Sequence, residues 1–75
     1  MSILEKRINN KIKIDFEVPE LLRNTMDEAE ELDRIGSVEY TAVADMIDVI
    51  CKGYVTTGHM TQEQWDTVVD RYPII

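Results

Sequence analysis

Residues 11–18 read Lys11-Ile12-Lys13-Ile14-Asp15-Phe16-Glu17-Val18, an unbroken alternation of polar and apolar side chains. A period of two puts Ile12, Ile14, Phe16 and Val18 on one face of an extended segment. Pro19 follows, and its ring pushes Val18 further from helical geometry. No other stretch of the chain repeats that period. A lone strand leaves its backbone N–H and C=O groups without partners, so a sheet built within one copy is excluded. Three arrangements remain: pairing with the same segment of a second copy, an extended arm lying over helices, or a helix whose period is disguised. The first two fit the alternation best.

The rest of the chain has helical spacing. After Pro19, which suits a first helical turn, Leu22, Met26, Ala29, Leu32 and Ile35 form a seam that predicts a helix over 19–35. Asp27, Glu28, Glu30, Glu31 and Asp33 then read as its outer, solvated face. Gly36 is a natural terminator and Ser37 a cap for the next helix. That helix is expected over 38–53, with Tyr40, Val43, Ala44, Ile47, Ile50, Cys51 and Tyr54 at i, i+3, i+4 spacing, widened by Met46 and Val49. It should be the most buried element. A link of about two residues predicts an antiparallel hairpin. Gly53 and Gly58 bracket a connection, and Thr61 with Gln64 forms a capping box opening a last helix. Trp65, Val68, Val69 and Tyr72 make its stripe, Pro73 ends it, and Ile74 and Ile75 leave an apolar tail. At the other end, Ser2 and Glu5 form another capping box for a short helix over 3–10. The fold class is therefore mainly α: a small bundle of three to four helices with an N-terminal extended or short β segment at 11–18. It forms a single domain, 1–18 being the N-terminal helix plus the extended arm and 19–75 the helical body.

Charge separates the same two parts. The formal charge of the 75 residues is -7. Residues 1–13 carry Lys6, Arg7, Lys11 and Lys13 against Glu5, a net of +3. Residues 14–75 carry fourteen acids against Arg23, Arg34, Lys52 and Arg71, a net of -10. Such a basic arm either binds nucleic acid or docks on an acidic body, its own or a neighbour's. Four cations neutralise few phosphates and the body repels the rest, which favours docking. A chain this short buries a modest core, so self-association is a common supplement. An apolar content of 44% argues for a folded protein rather than a disordered one. There is no apolar run of the roughly 18 residues a membrane span needs. The N-terminus lacks the pattern of a secretory signal. Cys51, being single, cannot form an internal disulfide and suits a reducing, cytoplasmic setting.

Few residues invite chemistry. His59, the single histidine, lies in an expected loop with only Glu63 at i+4 as a companion, too little for a metal site or a catalytic base. Cys51 falls on the apolar stripe, where a thiol is inert. The acids at 27–33 lack the Glu-x-x-His spacing of di-iron bundles and the loop pattern of a calcium site. Asp45 and Asp48 flank the stripe of their helix and read as rim residues. Two helices around Gly36-Ser37 imitate a helix-turn-helix, but the second offers Glu39, Thr41, Asp45 and Asp48 where base and phosphate contacts require Arg, Lys, Asn or Gln. Gly36, Gly53 and Gly58 are isolated, so no phosphate-binding loop exists. The chain reads as a non-enzyme, without catalytic residues, cofactor or metal.

Residues Gly53 to Trp65 place an aromatic-containing turn, a Gly, an apolar residue, a Thr and then Glu and Gln with an aromatic before a capped helix. The stretch resembles the short helical hairpins of SHOCT-type domains and of small tail-region proteins of phages. The acidic, motif-free whole also looks like small proteins carried by prophages of Gram-positive bacteria. The resemblance implies no catalytic or binding residue. The expected function is a non-enzymatic interaction or assembly protein, a homo-oligomer. Its surface would come from Ile12, Ile14 and Phe16 with Trp65, Tyr72, Ile74 and Ile75. The alternatives are an acidic inhibitor that imitates nucleic acid, and nucleic-acid or regulatory binding through Lys6, Arg7, Lys11 and Lys13.

Overall fold

The computed structural model describes residues 7–74. Three helices carry the fold: α1 at Glu20–Arg34, α2 at Tyr40–Thr56 and α3 at Gln62–Arg71. The central α2 packs against both α1 and α3. Its inner face is buried at Tyr40, Val43, Ala44, Ile47 and Cys51, and half-buried at Tyr54 in the last turn. Leu22, Met26 and Ala29 meet it from α1, and Val68 from α3, with Met60 and Tyr72 closing the α3 end. Burying the Leu, Ile, Val and Met side chains among these contributes about 1.5–3 kcal/mol each.

Local chemistry sets the helix ends. Pro19 sits one position outside the first turn, as the N-cap, with its carbonyl accepting from the Arg23 N–H at 2.9 Å. At the far end of α1, Gly36 takes φ 70°. Its N–H donates to the Asp33 carbonyl and the Ser37 N–H to the Leu32 carbonyl, the paired bonds of a Schellman motif. α2 ends the same way: Gly58 has φ 82°, its N–H meets the Val55 carbonyl, and the His59 N–H meets the Tyr54 carbonyl. The α3 capping box forms in full: the Gln64 N–H donates to Thr61 Oγ1, and the Thr61 N–H to Gln64 Oε1, both at 3.0 Å.

Several boundaries differ from the sequence expectation. α2 does not stop at Gly53 but runs through it to Thr56, because the residue able to take positive φ with the right bonds is Gly58. The link between α1 and α2 is five residues, 35–39, rather than two: the Ser37 hydroxyl accepts the Glu39 N–H and makes a turn before the helix begins. Met46 and Val49 do not widen the buried face, being 54% and 60% exposed.

These assignments predict opposite effects at two glycines. At Gly53, an added Cβ would meet nothing within 4 Å. Gly53→Ala is expected to stabilise the fold by about 0.5–1 kcal/mol through helix propensity. Gly58→Ala is expected to destabilise it by about 1 kcal/mol, since a side chain is strained at φ 82°. Urea unfolding at low micromolar concentration checks both. Equal and same-signed shifts would place the helix end wrongly.

The arm is extended and unpaired. No strand forms among the described residues, so the short β segment gives way to its extended alternative. Lys11, Lys13, Asp15 and Glu17 are exposed, while Ile12, Ile14, Phe16 and Val18 turn toward the body. Ile14, Phe16 and Val18 pack on the core. The helix expected over 3–10 falls largely outside the described residues. Of its residues, 7–10 are irregular, because the Arg7 and Ile8 N–H groups donate to the Asp33 side chain and the Asn9 N–H to the Arg71 carbonyl.

Candidate functional site

Two polar clamps hold the arm, and both draw on acids of α1. The first is Asp33, 5% exposed. It continues the apolar seam of α1, lying seven residues after Met26 and four after Ala29, so its carboxylate points inward. Oδ1 accepts from the Arg7 backbone N–H at 2.8 Å and from Arg7 Nε at 3.2 Å, and Oδ2 from the Ile8 N–H at 3.4 Å. Burial works to raise the Asp33 pKa. The hydrogen bonds from Arg7 and Ile8, with the Arg7 charge, outweigh it and hold the carboxyl below its ordinary 3.8. The Arg7 guanidinium lies over the Tyr40 ring, 4.4 Å from its centroid, a cation–π contact. Its Nη2 is buried with no hydrogen-bond partner among the described residues, which leaves Asp33 and the Tyr40 face to balance the charge. Tyr40 is fully buried and donates its hydroxyl to the Pro73 carbonyl at 3.1 Å. Burial, with Asp33 nearby, pushes that hydroxyl up to about 12.

The second clamp is Arg71 at the end of α3. Its Nη1 donates to the Ile12 carbonyl at 2.8 Å, its Nη2 to Glu30 at 3.0 Å and its Nε to the Tyr72 oxygen at 3.2 Å. Tyr72 in turn donates to Glu30 at 2.7 Å. Burial disfavours the Arg71 charge, but the hydrogen bonds to Tyr72 and Glu30 outweigh that and raise its pKa. Burial and the bond to Glu30 push Tyr72 up to about 12. Arm, α1 and α3 are thus joined at one point, although no direct backbone packing links α1 to α3.

Asp33 therefore does not belong to the solvated face of α1, and Glu30 sits at the edge of that face with 39% of its side chain exposed. The 4-3-4 spacing of Leu22, Met26, Ala29 and Asp33 was the signal that places Asp33 inside. Asp27, Glu28 and Glu31 remain exposed, with Glu31 paired to Arg34. Of the arm's cations, Arg7 is enclosed and Lys11 and Lys13 are exposed, while Lys6 lies outside the described residues.

The expected interaction residues are dispersed. Ile12, Ile14 and Phe16 turn inward on the arm. Trp65 is half-buried against the core and its indole N–H donates to Asp48 at 2.9 Å. Tyr72 is buried. Ile74 is exposed, and Ile75 lies outside the described residues. Cys51 is fully buried, and burial followed by the Asp48 charge pushes its thiol up to about 11. His59 is an exposed loop residue whose Nδ1 lies 3.0 Å from the Thr57 hydroxyl. Asp45 is exposed, and Asp48 is the half-buried acceptor for Trp65.

What stays uncovered is the outer face of α2. Ala42, Met46, Val49 and Gly53 are exposed there at spacings of four, three and four, and Val38 precedes them at 74% exposure. Periodicity does not reveal that surface, because Met46 and Val49 fit an inner face as well as an outer one. Among the described residues, no group of three or more His, Cys, Asp or Glu could hold a metal ion, and no helix is long and apolar enough to cross a membrane. No family model, no curated protein and no solved structure matches this chain.

Proposed function

We propose that this chain is a non-enzymatic interaction and assembly protein that self-associates. The outer face of α2 is the observation that carries this reading. Met46, Val49 and Val38 keep more than half their surface in water, as do Leu21 and Ile35 at the two ends of α1, but only on α2 do such residues recur along a helix. Contiguous exposed apolar surface in a small protein is characteristic of contact surfaces. The arm supports it from another side, since folding it back uses Ile14 and Phe16 within the same copy and leaves the α2 face uncovered. The resemblance of residues 53–65 to phage tail-region hairpins fits an assembly role. The nucleic-acid mimic draws less support, because Glu30 and Asp33 are engaged by Arg71 and Arg7. Light scattering on the full chain is expected to give a mass that rises above the 8.7 kDa of one copy as concentration increases. A constant monomer mass would count against self-association.

A further inference from the structure

Resting on the self-association reading, we propose that the partner is a second copy of this chain, bound through the outer face of α2 in an antiparallel pair. The two-fold axis would cross α2 between Ile47 and Asp48. The first reason is periodicity. Ala42, Met46, Val49 and Gly53, with Thr56 after them, recur at alternating spacings of four and three, the seam of a two-helix coiled coil, and all five are exposed. The second is register. Turned about that axis, Met46 meets Val49 of the second copy, and Ala42 meets Gly53. Large layers then lie at the centre and small ones at both ends, where the backbones can approach. An added Cβ at Gly53 meets nothing within 4 Å in one copy, so that space is open.

The third reason is charge. The exposed face of α2 carries one acid, Asp45, and one base, Lys52, both beside the seam. In the antiparallel register Asp45 of each copy faces Lys52 of the other, giving two opposite-charge pairs. A parallel pair would set Asp45 against Ile50 and Lys52 against Thr57, with no charge matched. The other two helices cannot serve a self-contact as well. α1 exposes Glu20, Asp27, Glu28 and Glu31 against Arg23 and Arg34, a net of -2, and α3 exposes Glu63, Asp66 and Asp70 with no exposed base. Two copies of either face would repel. The balanced, apolar strip on α2 is thus the face on which an acidic chain meets itself at least electrostatic cost. A helix of 17 residues is about 25 Å long. One such pair sits near the lower limit of about 1,000 Å² for a specific interface, so the dimer is expected in the micromolar range.

Sedimentation velocity on the full chain, from about 5 μM to about 1 mM, tests this. The wild type is expected to pass from monomer to dimer. Asp45→Lys and Lys52→Asp each set like charges together twice and are expected to raise Kd about tenfold or more. The combined Asp45→Lys, Lys52→Asp chain restores both pairs and should return to within about threefold of the wild type. Asp45→Lys is the sharpest arm, because it lowers the net negative charge and long-range repulsion alone would tighten association. Met46→Glu is expected to abolish the dimer in any register, with helix content by circular dichroism unchanged because the side chain is exposed. A dimer indifferent to both single swaps, or a double swap no tighter than either single one, overturns the antiparallel register. A dimer also indifferent to Met46→Glu overturns the α2 face while self-association stands. A chain monomeric at the highest concentration overturns both.

Discussion

Asp33→Ala is expected to cost about 3–5 kcal/mol, the range for removing one partner of a buried ion pair. The mechanism is what remains behind. Three donors from Arg7 and Ile8 lose their acceptor at once, and the Arg7 guanidinium, nine-tenths enclosed, keeps its charge with, among the described residues, only the Tyr40 ring against it. A chain of 75 residues has about 4–11 kcal/mol in all. The variant should therefore be largely unfolded in mild urea, and the Arg7 and Ile8 amides should lose hydrogen-exchange protection first. A variant within about 1 kcal/mol of the wild type would show that the arm contributes little to the fold. The pH dependence carries the same sign. Asp33 titrates below its ordinary 3.8 in the folded chain, so its contribution is fully present above that value. It is lost as the pH falls through the lower folded value. The gap between wild type and Asp33→Ala should be constant near neutrality and should close in acid below 3.8. A gap that closes already at mildly acid pH would contradict the lowered pKa.

Tyr40→Ala is expected to cost about 3–5 kcal/mol, as for other large aromatic truncations in a core. Tyr40 is fully buried, supports Arg7 with its ring and ties down the C-terminal segment through Pro73. Tyr40→Phe keeps the ring and loses only the hydroxyl, so it should cost about 1 kcal/mol. Chemical denaturation of the pair separates packing from hydrogen bonding. Equal losses would mean that the Pro73 contact, not the ring, carries the stability. Asp33 and Tyr40 share Arg7, so the double variant should lose less than the sum of the two. An additive result would show that Arg7 does not couple them.

The arm and the helices were legible in the sequence to different depths. Inward and outward residues of 11–18 follow the alternation at every position, although the segment has no sheet to belong to. The alternation reports which face is covered, not what covers it. The capping box at Thr61 and the terminator at Gly36 could be read because their partners lie within a few residues. Gly53 misled for the same reason: a glycine is a permissive residue, and only the bonds around Gly58 show which of the two ends the helix. Asp33 defies the reading of α1's acids as solvated, a rule that yields when an arginine is brought alongside a buried position.

Interactions spanning five residues or fewer thus settled that three helices form, the turns at Gly36 and Thr61 and the two-faced arm, since such contacts form wherever the local chain allows them. The partners of the charges and the exposed side of α2 were settled by packing. Arg7 meets Asp33 across 26 positions and Arg71 meets Glu30 across 41. No local spacing encodes such separations. α2 has apolar residues nearly all round, and periodicity alone cannot say which side α1 and α3 will cover. Only once they close on Tyr40, Val43, Ala44, Ile47 and Cys51 do Met46 and Val49 become the side that is left over.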